Sequence, residues 1–226
     1  MLHSSHSGAR QQPAGSRVCA THRARDPRVR MLDAMIATAS YRGYDRTTVE
    51  RVLQTAKVAP AVFDEHFADK EECFLQALDA LIARIDTAVL ERVERAVPWP
   101  ERVRGGLDAL LSALAEDPDG ARVVLVESLC ACPAAAERHH ALLHHFPPLL
   151  EEGRFHCANP DLLPPYTSEA MVGGIASILH RRALEDRTGE LPRLRGDLAY
   201  FAMLPYLGHH RAIVAAFAKE PAPQRG

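Results

Sequence analysis

Cys130, Cys132, His139, His140, His144 and His145 gather donors of the kind that bind transition metals into one short stretch. His140 and His144 stand four apart, a spacing that puts two imidazoles on one helix face within reach of a single ion. The stretch has no His-Glu-x-x-His and no paired Cys-x-x-Cys, and polar histidines are ordinary on a helix surface, so no metal centre is expected. Asp64-Glu65 and Glu71-Glu72 are carboxylate pairs, but adjacent side chains diverge around a helix and cannot share an acid–base site. Cys73 is a candidate redox thiol, although a small buried thiol is the commoner role. No G-x-S-x-G elbow, phosphate loop or dinucleotide fingerprint occurs. Neither catalysis nor a cofactor is expected.

The remaining chemistry is electrostatic. Residues 1–30 contain Arg10, Arg17, Arg23, Arg25, Arg28 and Arg30 against one acid, Asp26, although the whole chain has a net charge of −2. Such a stretch suits DNA phosphates or the minor groove, with Arg25 and Arg28 as candidate contacts. The alternative is a solvated tail. Residues 1–24, rich in Ser, Gly, Gln, His and Arg without apolar periodicity, are expected to be a disordered basic arm.

A basic arm reads nothing without a head behind it, and residues 47–74 have the pattern of one. Thr47 reads as an N-cap, and Glu50 three residues on completes a capping box. Val49, Val52, Leu53 and Ala56 recur at the spacing of one apolar helix face. Lys57-Val58-Ala59 is long enough only for a turn, and Pro60 suits the start of a second helix, where its missing N–H costs nothing. Phe63 and Phe67 mark that helix's inner face, and Asp69 with Glu72 caps a third helix. Helix, three-residue turn and short helix make a helix-turn-helix, whose second helix enters the major groove.

The segment resembles the DNA-binding domain of the TetR family of bacterial transcriptional regulators, which read T-T-V-x-x-I-A-x-x-A-G-V-S-x-x-T-F-Y-x-H-F-x-x-K-E-x-x-F at this place. Thr47, Thr48, Val49, Ala56, Val58, Phe63, His66, Phe67, Lys70, Glu71 and Phe74 match, and Gly43-Tyr44-Asp45 resembles the family's link from the first helix. The resemblance implies a double-stranded DNA operator. It adds Thr47, Thr48, Pro60, Ala61, Val62, Asp64, Glu65, His66 and Lys70 to the candidate DNA contacts. Ala61 and Val62 suit thymine methyls, an acidic side chain can accept from cytosine N4, and Lys70 suits a phosphate. Three positions depart from the family. Lys57 replaces the turn glycine and is asked to take a positive φ. Ala59 replaces a serine, removing a cap hydroxyl worth about 1 kcal/mol. Asp64 stands where the family has a tyrosine that commonly touches the DNA backbone, and a carboxylate there would repel phosphate.

The flanking sequence reads as helices. The first covers Pro27–Arg42, with Val29, Leu32, Ile36 and Ala39 inward and Gly43 as its stop. The third runs from Lys70 through Phe74, Leu78, Ile82, Ile85 and Val89 to about Ala96, where Pro98-Trp99-Pro100 ends it. Val103, Leu107, Leu110, Leu111 and Leu114 define the next, and Asp117-Pro118 caps a following run, 121–129, that is apolar nearly all round. A helix from residue 134 carries Leu142, Leu143 and Phe146 into Pro147-Pro148, which kink or split it. A plain surface break is the preferred reading of those prolines, and a cavity wall the alternative. Residues 159–167 form a loop, then 168–186 place Val172, Ile175, Leu179 and Ala183 on one face, with Gly173-Gly174 admitting a close neighbour. Residues 191–204 form another helix, and a short last one holds Ile213 and Phe217. By resemblance, 172–182 and 194–204 form a four-helix homodimer interface.

The expected fold is all-α. Residues 1–24 form the arm, 25–85 the helix-turn-helix domain (motif 48–67), 86–218 a helical ligand-binding and dimerisation domain, and 219–226 a disordered tail. At 226 residues and 47% hydrophobic content the chain can fill such a core. No apolar run reaches the roughly 18 residues of a membrane span, and no secretory apolar region is present. Five cysteines without framework spacing suit a reducing, cytoplasmic setting. The expected function is a ligand-responsive repressor. It would bind a palindromic operator as a homodimer and be released by an apolar or amphipathic small-molecule effector. The alternative is an all-α ligand-binding or interaction protein that has lost sequence-specific DNA binding, as Asp64 and Ala59 suggest.

Overall fold

Asp26 accepts the backbone N–H of Arg28 at 2.9 Å and Pro27 occupies the first helical position, so α1 (Pro27–Arg42) begins with both a cap and a preset φ. The computed structural model describes residues 26–93 and 97–218. Gly43, at φ 85°, ends α1 by donating to the Ala39 carbonyl at 2.9 Å. The buried face of α1 is wider than its periodicity implies, taking in Met31, Ala34, Met35 and Thr38. It is covered from two sides, by α2 (Val49–Ala56) and α4 (Lys70–Leu90) and by α6 (Pro118–Leu125).

The cap of α2 is Thr48, whose hydroxyl accepts the Arg51 N–H at 3.4 Å, and not Thr47 as the capping-box reading expects. Thr47 is already used. Its N–H goes to the Tyr44 carbonyl and its hydroxyl donates to the Gly43 carbonyl at 2.9 Å, closing the turn after α1. Glu50 turns instead to its own backbone N–H and the Thr48 hydroxyl, which hold its carboxyl below the ordinary range. Helix α3 (Pro60–Asp64) follows the turn. Asp69 caps α4 by accepting the Glu72 N–H at 2.8 Å, while Glu72 returns a bond to the Ala68 N–H at 2.7 Å. Helix α4 ends at Leu90, short of the expected Ala96: Glu91 and Arg92 already form a turn, and residues 94–96 lie outside the described residues.

Trp99 and Pro100, expected only as a terminator, open α5 (Trp99–Glu116). Asp117 then caps α6 through the Gly120 N–H at 2.9 Å. The apolar run 121–129 is not one helix. It breaks at Val126 (φ −121°, ψ −61°) into a 3-10 turn, Glu127–Leu129. The carbonyls freed by the break find side chains: Val124 O takes His139 Nδ1 at 2.9 Å and the Ser128 hydroxyl at 2.6 Å, and Leu125 O takes His180 Nδ1 at 2.6 Å. A carbonyl only accepts, so both imidazoles carry their proton on Nδ1. Three of the residues that shape this corner are therefore polar and scattered in sequence.

Pro133 opens α7 (Pro133–Leu143), and Pro147 opens α8 (Pro147–Glu151), so the two prolines split the helix. Short 3-10 turns lead to α9 (Thr167–Leu184), on which Val172, Ile175, Leu179 and Ala183 are all buried. Residues expected to start the next helix at 191 form a 3-10 segment, Thr188–Leu194. Helix α10 (Arg195–Phe217) then includes the expected last helix, with the division reduced to a kink at Gly208 (φ 71°). Among the described residues every regular element is helical, and no helix is long and apolar enough to cross a membrane.

His139 makes the corner pH-sensitive. Burial lowers its pKa, with His140 and His180 adding to the effect. The unfolded imidazole binds a proton near pH 6.5, but the folded one does so only at lower pH, so stability is complete above about pH 6.5 and declines below it. The urea midpoint should fall between about pH 7.5 and about pH 5.5, and less steeply in His139→Gln. Identical slopes in both proteins would assign the effect to other groups.

Candidate nucleic-acid interface

The turn of the helix-turn-helix is built around a lysine in the left-handed region. Lys57 takes φ 55° and ψ 50°, its N–H reaches Gln54 O, and the Val58 N–H closes back on Leu53 O at 3.1 Å. The sequence expectation of a positive φ at Lys57 is met, at a conformational cost of roughly 1–2 kcal/mol relative to a right-handed residue. Arg30 offsets part of this cost. Its guanidinium donates to the carbonyls of Ala56 and Lys57, sealing the end of α2. Ala59 sits extended at the cap position of α3 and offers no side-chain bond.

Phe63 and Phe67 anchor α3, both buried, with ring centroids 5.3 Å apart. Their burial turns Pro60, Ala61, Asp64 and Glu65 out to solvent and leaves Val62 and His66 half-buried; Thr48 is also exposed. Thus the outer face of α3 carries two acids and no cation. Two candidates need correction. Thr47 is only 1% exposed, so it shapes the turn and cannot meet a duplex as placed. Lys70 donates from Nζ to the Tyr44 carbonyl at 3.2 Å and lies 3.9 Å from the Tyr44 ring centroid, so its charge is directed into the head. Arg28 is exposed and bonded to Gln76 at 2.6 Å. Arg25 lies outside the described residues.

The head also exposes cations outside the motif's matched positions: Arg42 at the end of α1, Arg46 in the link, Arg51 on α2 and Lys57 at the turn. Their positions flanking a helix-turn-helix were the available signal.

A second site lies at the far end of α4. Val89, Leu107, Phe146, Leu149, Ile175 and Leu179 are among the walls of a cavity of about 70 Å³ whose lining is apolar throughout. An outer cleft of about 230 Å³ shares Val89, Phe146 and Leu149 with it and reaches the surface at Asp86 and His145, which pair at 3.3 Å. Leu143, Phe146, Leu149 and Leu150 all face the cavity, so the proline break marks its wall and is not the plain surface break expected. Splitting the helix lets side chains on both sides of the prolines turn inward. Among the described residues no cluster of three or more His, Cys, Asp and Glu could hold a metal ion.

A three-helix head that presents a short, surface-facing second helix defines a helix-turn-helix DNA-binding protein. Residues 31–77 match the model of bacterial regulatory proteins, tetR family. Solved structures extend the similarity in fold beyond the head. The fatty acid degradation regulator FadR from Bacillus halodurans superposes with a TM-score of 0.69 at 17% identity, over 78% of this chain and 94% of that one. FadR from Bacillus subtilis, in complex with stearoyl-CoA, gives 0.66 at 17% identity, over 80% and 98%. A tetR family regulatory protein from Rhodococcus RHA1 gives 0.64 at 16% identity, over 80% and 97%. No curated protein matches the sequence.

The missing cap on α3 is directly testable. Ala59→Ser should restore a hydroxyl acceptor at an already extended cap residue and raise stability by about 1 kcal/mol in urea unfolding. An unchanged midpoint would mean that water already satisfies those amides.

Proposed function

We propose that this protein is a one-component transcriptional regulator that acts as a repressor and is released from DNA by a small apolar or amphipathic effector. The observation that carries the reading is helix α4, which starts in the head at Lys70 and lines the cavity at Val89. One stiff element thus belongs to both sites. A homodimer formed through α9 and α10 would set two α3 helices about one turn of DNA apart on a near-palindromic operator. Residues 25–85 would form the reading domain and 86–218 the effector and dimer domain, in a cytoplasmic protein.

In this reading Thr48, Pro60, Ala61, Val62, Glu65 and His66 meet the DNA, with Ala61 and Val62 against thymine methyls. Arg25, Arg28, Arg46, Arg51 and Lys57 supply phosphate contacts. Asp64 opposes them. The stearoyl-CoA held by the Bacillus subtilis protein supports an acyl chain as the effector class. A long acyl chain exceeds a cavity of about 70 Å³, so occupancy would have to part its walls. Release then follows only if the parted form binds the effector better than the DNA-competent form does.

Fluorescence anisotropy on DNA from upstream of the protein's own gene, beside a scrambled duplex, tests this. Preference for the native duplex that survives about 150 mM salt is the expected result. Equal, salt-sensitive binding to both would reduce the interaction to phosphate contacts, and no binding would favour an all-α ligand-binding protein that has lost DNA reading. Asp64→Tyr should tighten binding about fivefold if it removes one like-charge contact of about 1 kcal/mol. Stearoyl-CoA and DNA should weaken each other's binding by the same factor, and unequal factors would defeat the release mechanism.

A further inference from the structure

We propose that Glu127 is the positioning residue that docks the DNA-reading head onto the effector-binding helices, with Arg122 linking it to the end of α9. The docking stands on the geometry below; only its consequence for DNA rests on the regulator reading.

Tyr44, in the link between α1 and α2, has its polar backbone groups committed in two directions. Its carbonyl accepts from Lys70 Nζ at 3.2 Å and from the Thr47 N–H at 3.0 Å, both inside the head. Its N–H crosses to Glu127 Oε2 at 2.9 Å, on the 3-10 turn after α6. Glu127 is only 6% exposed. A carboxylate so buried needs donors and a cation. The Tyr44 amide is one donor, and Arg122, five residues earlier on α6, brings Nε to 4.0 Å from Oε1. The same guanidinium donates from Nη1 to the Ala183 carbonyl at 3.2 Å and reaches Asp186 at 3.5 Å, at the C-terminal end of α9.

Helix α9 is also a cavity wall, through Val172, Ile175 and Leu179. His180, on the turn between those residues and Ala183, holds the Leu125 carbonyl just before the break that aims Glu127. A shift of α9 is therefore delivered to the α6 corner at two points and passes to the head at one amide. Ser40 and Asp119, 2.7 Å apart, also tie α1 to α6, but neither reaches α9.

Hydrogen–deuterium exchange of the full-length protein without DNA or effector isolates this link. Glu127→Ala should speed exchange of the Tyr44 amide at least tenfold while α4 and α5 keep wild-type protection. Arg122→Ala, which does not touch Tyr44, should speed the same amide, and the double variant should be no faster than Glu127→Ala alone. Glu127→Gln keeps an acceptor for Tyr44 but not the charge. It should retain most of the protection and make the Tyr44 amide indifferent to Arg122→Ala. If Glu127→Ala fails to fold, the Gln and Arg122 variants carry the same comparison. Wild-type exchange at Tyr44 in Arg122→Ala would overturn the proposal. So would a uniform rise over all helices in these variants, which would mean a merely structural carboxylate. Since no DNA is present, loss of the regulator reading would leave this outcome standing, and the reverse also holds.

Discussion

Burial of Phe74 and Leu78 at one end of α4, and of Ile85 and Val89 at the other, obliges one helix to serve two cores. A helix of 21 residues spans roughly 30 Å, so its rotation cannot satisfy one core and ignore the other. The head packs where Phe74 meets Tyr44, ring centroids 4.7 Å apart, and the cavity closes where Val89 meets α5, α8 and α9. Everything else is arranged around that shared element. Helix α1 covers one flank of it, and α6 wedges between α1 and α9.

The head is economical with cations. Arg30 closes α2 and Lys70 is drawn onto Tyr44, so two positive charges that the sequence offers to DNA are engaged in the fold. Each of these roles has a local cause. The left-handed Lys57 leaves carbonyls at the end of α2 that want a donor, and the Tyr44 ring presents a π face and a carbonyl together. In the proposed interface the phosphate contacts therefore fall to exposed cations of α1, α2 and the turn, since the charged residues on the outer face of α3 are acids.

How much of this was legible depends on range. Helix boundaries set by a cap and an apolar stripe, such as Pro27–Arg42, the Asp117 cap and the positive φ of Lys57, follow from neighbours a few residues apart and could be read directly. The cap at Thr48 was missed by one residue because the turn to Tyr44 claimed Thr47 first. The break at Val126 could not be read at all. Nothing in an apolar run announces that His139 and His180, 15 and 55 positions from the carbonyls they meet, will hold those groups out of the helix. The placement of Lys70 and the turning of Phe146 and Leu149 into the cavity were hidden for the same reason, since each depends on a partner distant in sequence.

The two kinds of contact in this fold respond differently to displacement. Apolar walls attract without a preferred direction, so they can slide past one another while in contact, although parting them forfeits dispersion. A buried hydrogen bond has a narrow range of length and angle, and a buried carboxylate deprived of its donor is costly. The seam between α6 and the head combines Glu127, Arg122 and the Tyr44 amide, whereas the cavity beside α9 is wholly apolar. In the proposed regulator, parting of the cavity walls would be read at the head through a contact of narrow geometric tolerance. That division of labour also explains why an acid is worth burying at position 127. A leucine there would pack, but it would not distinguish one position of α9 from the next.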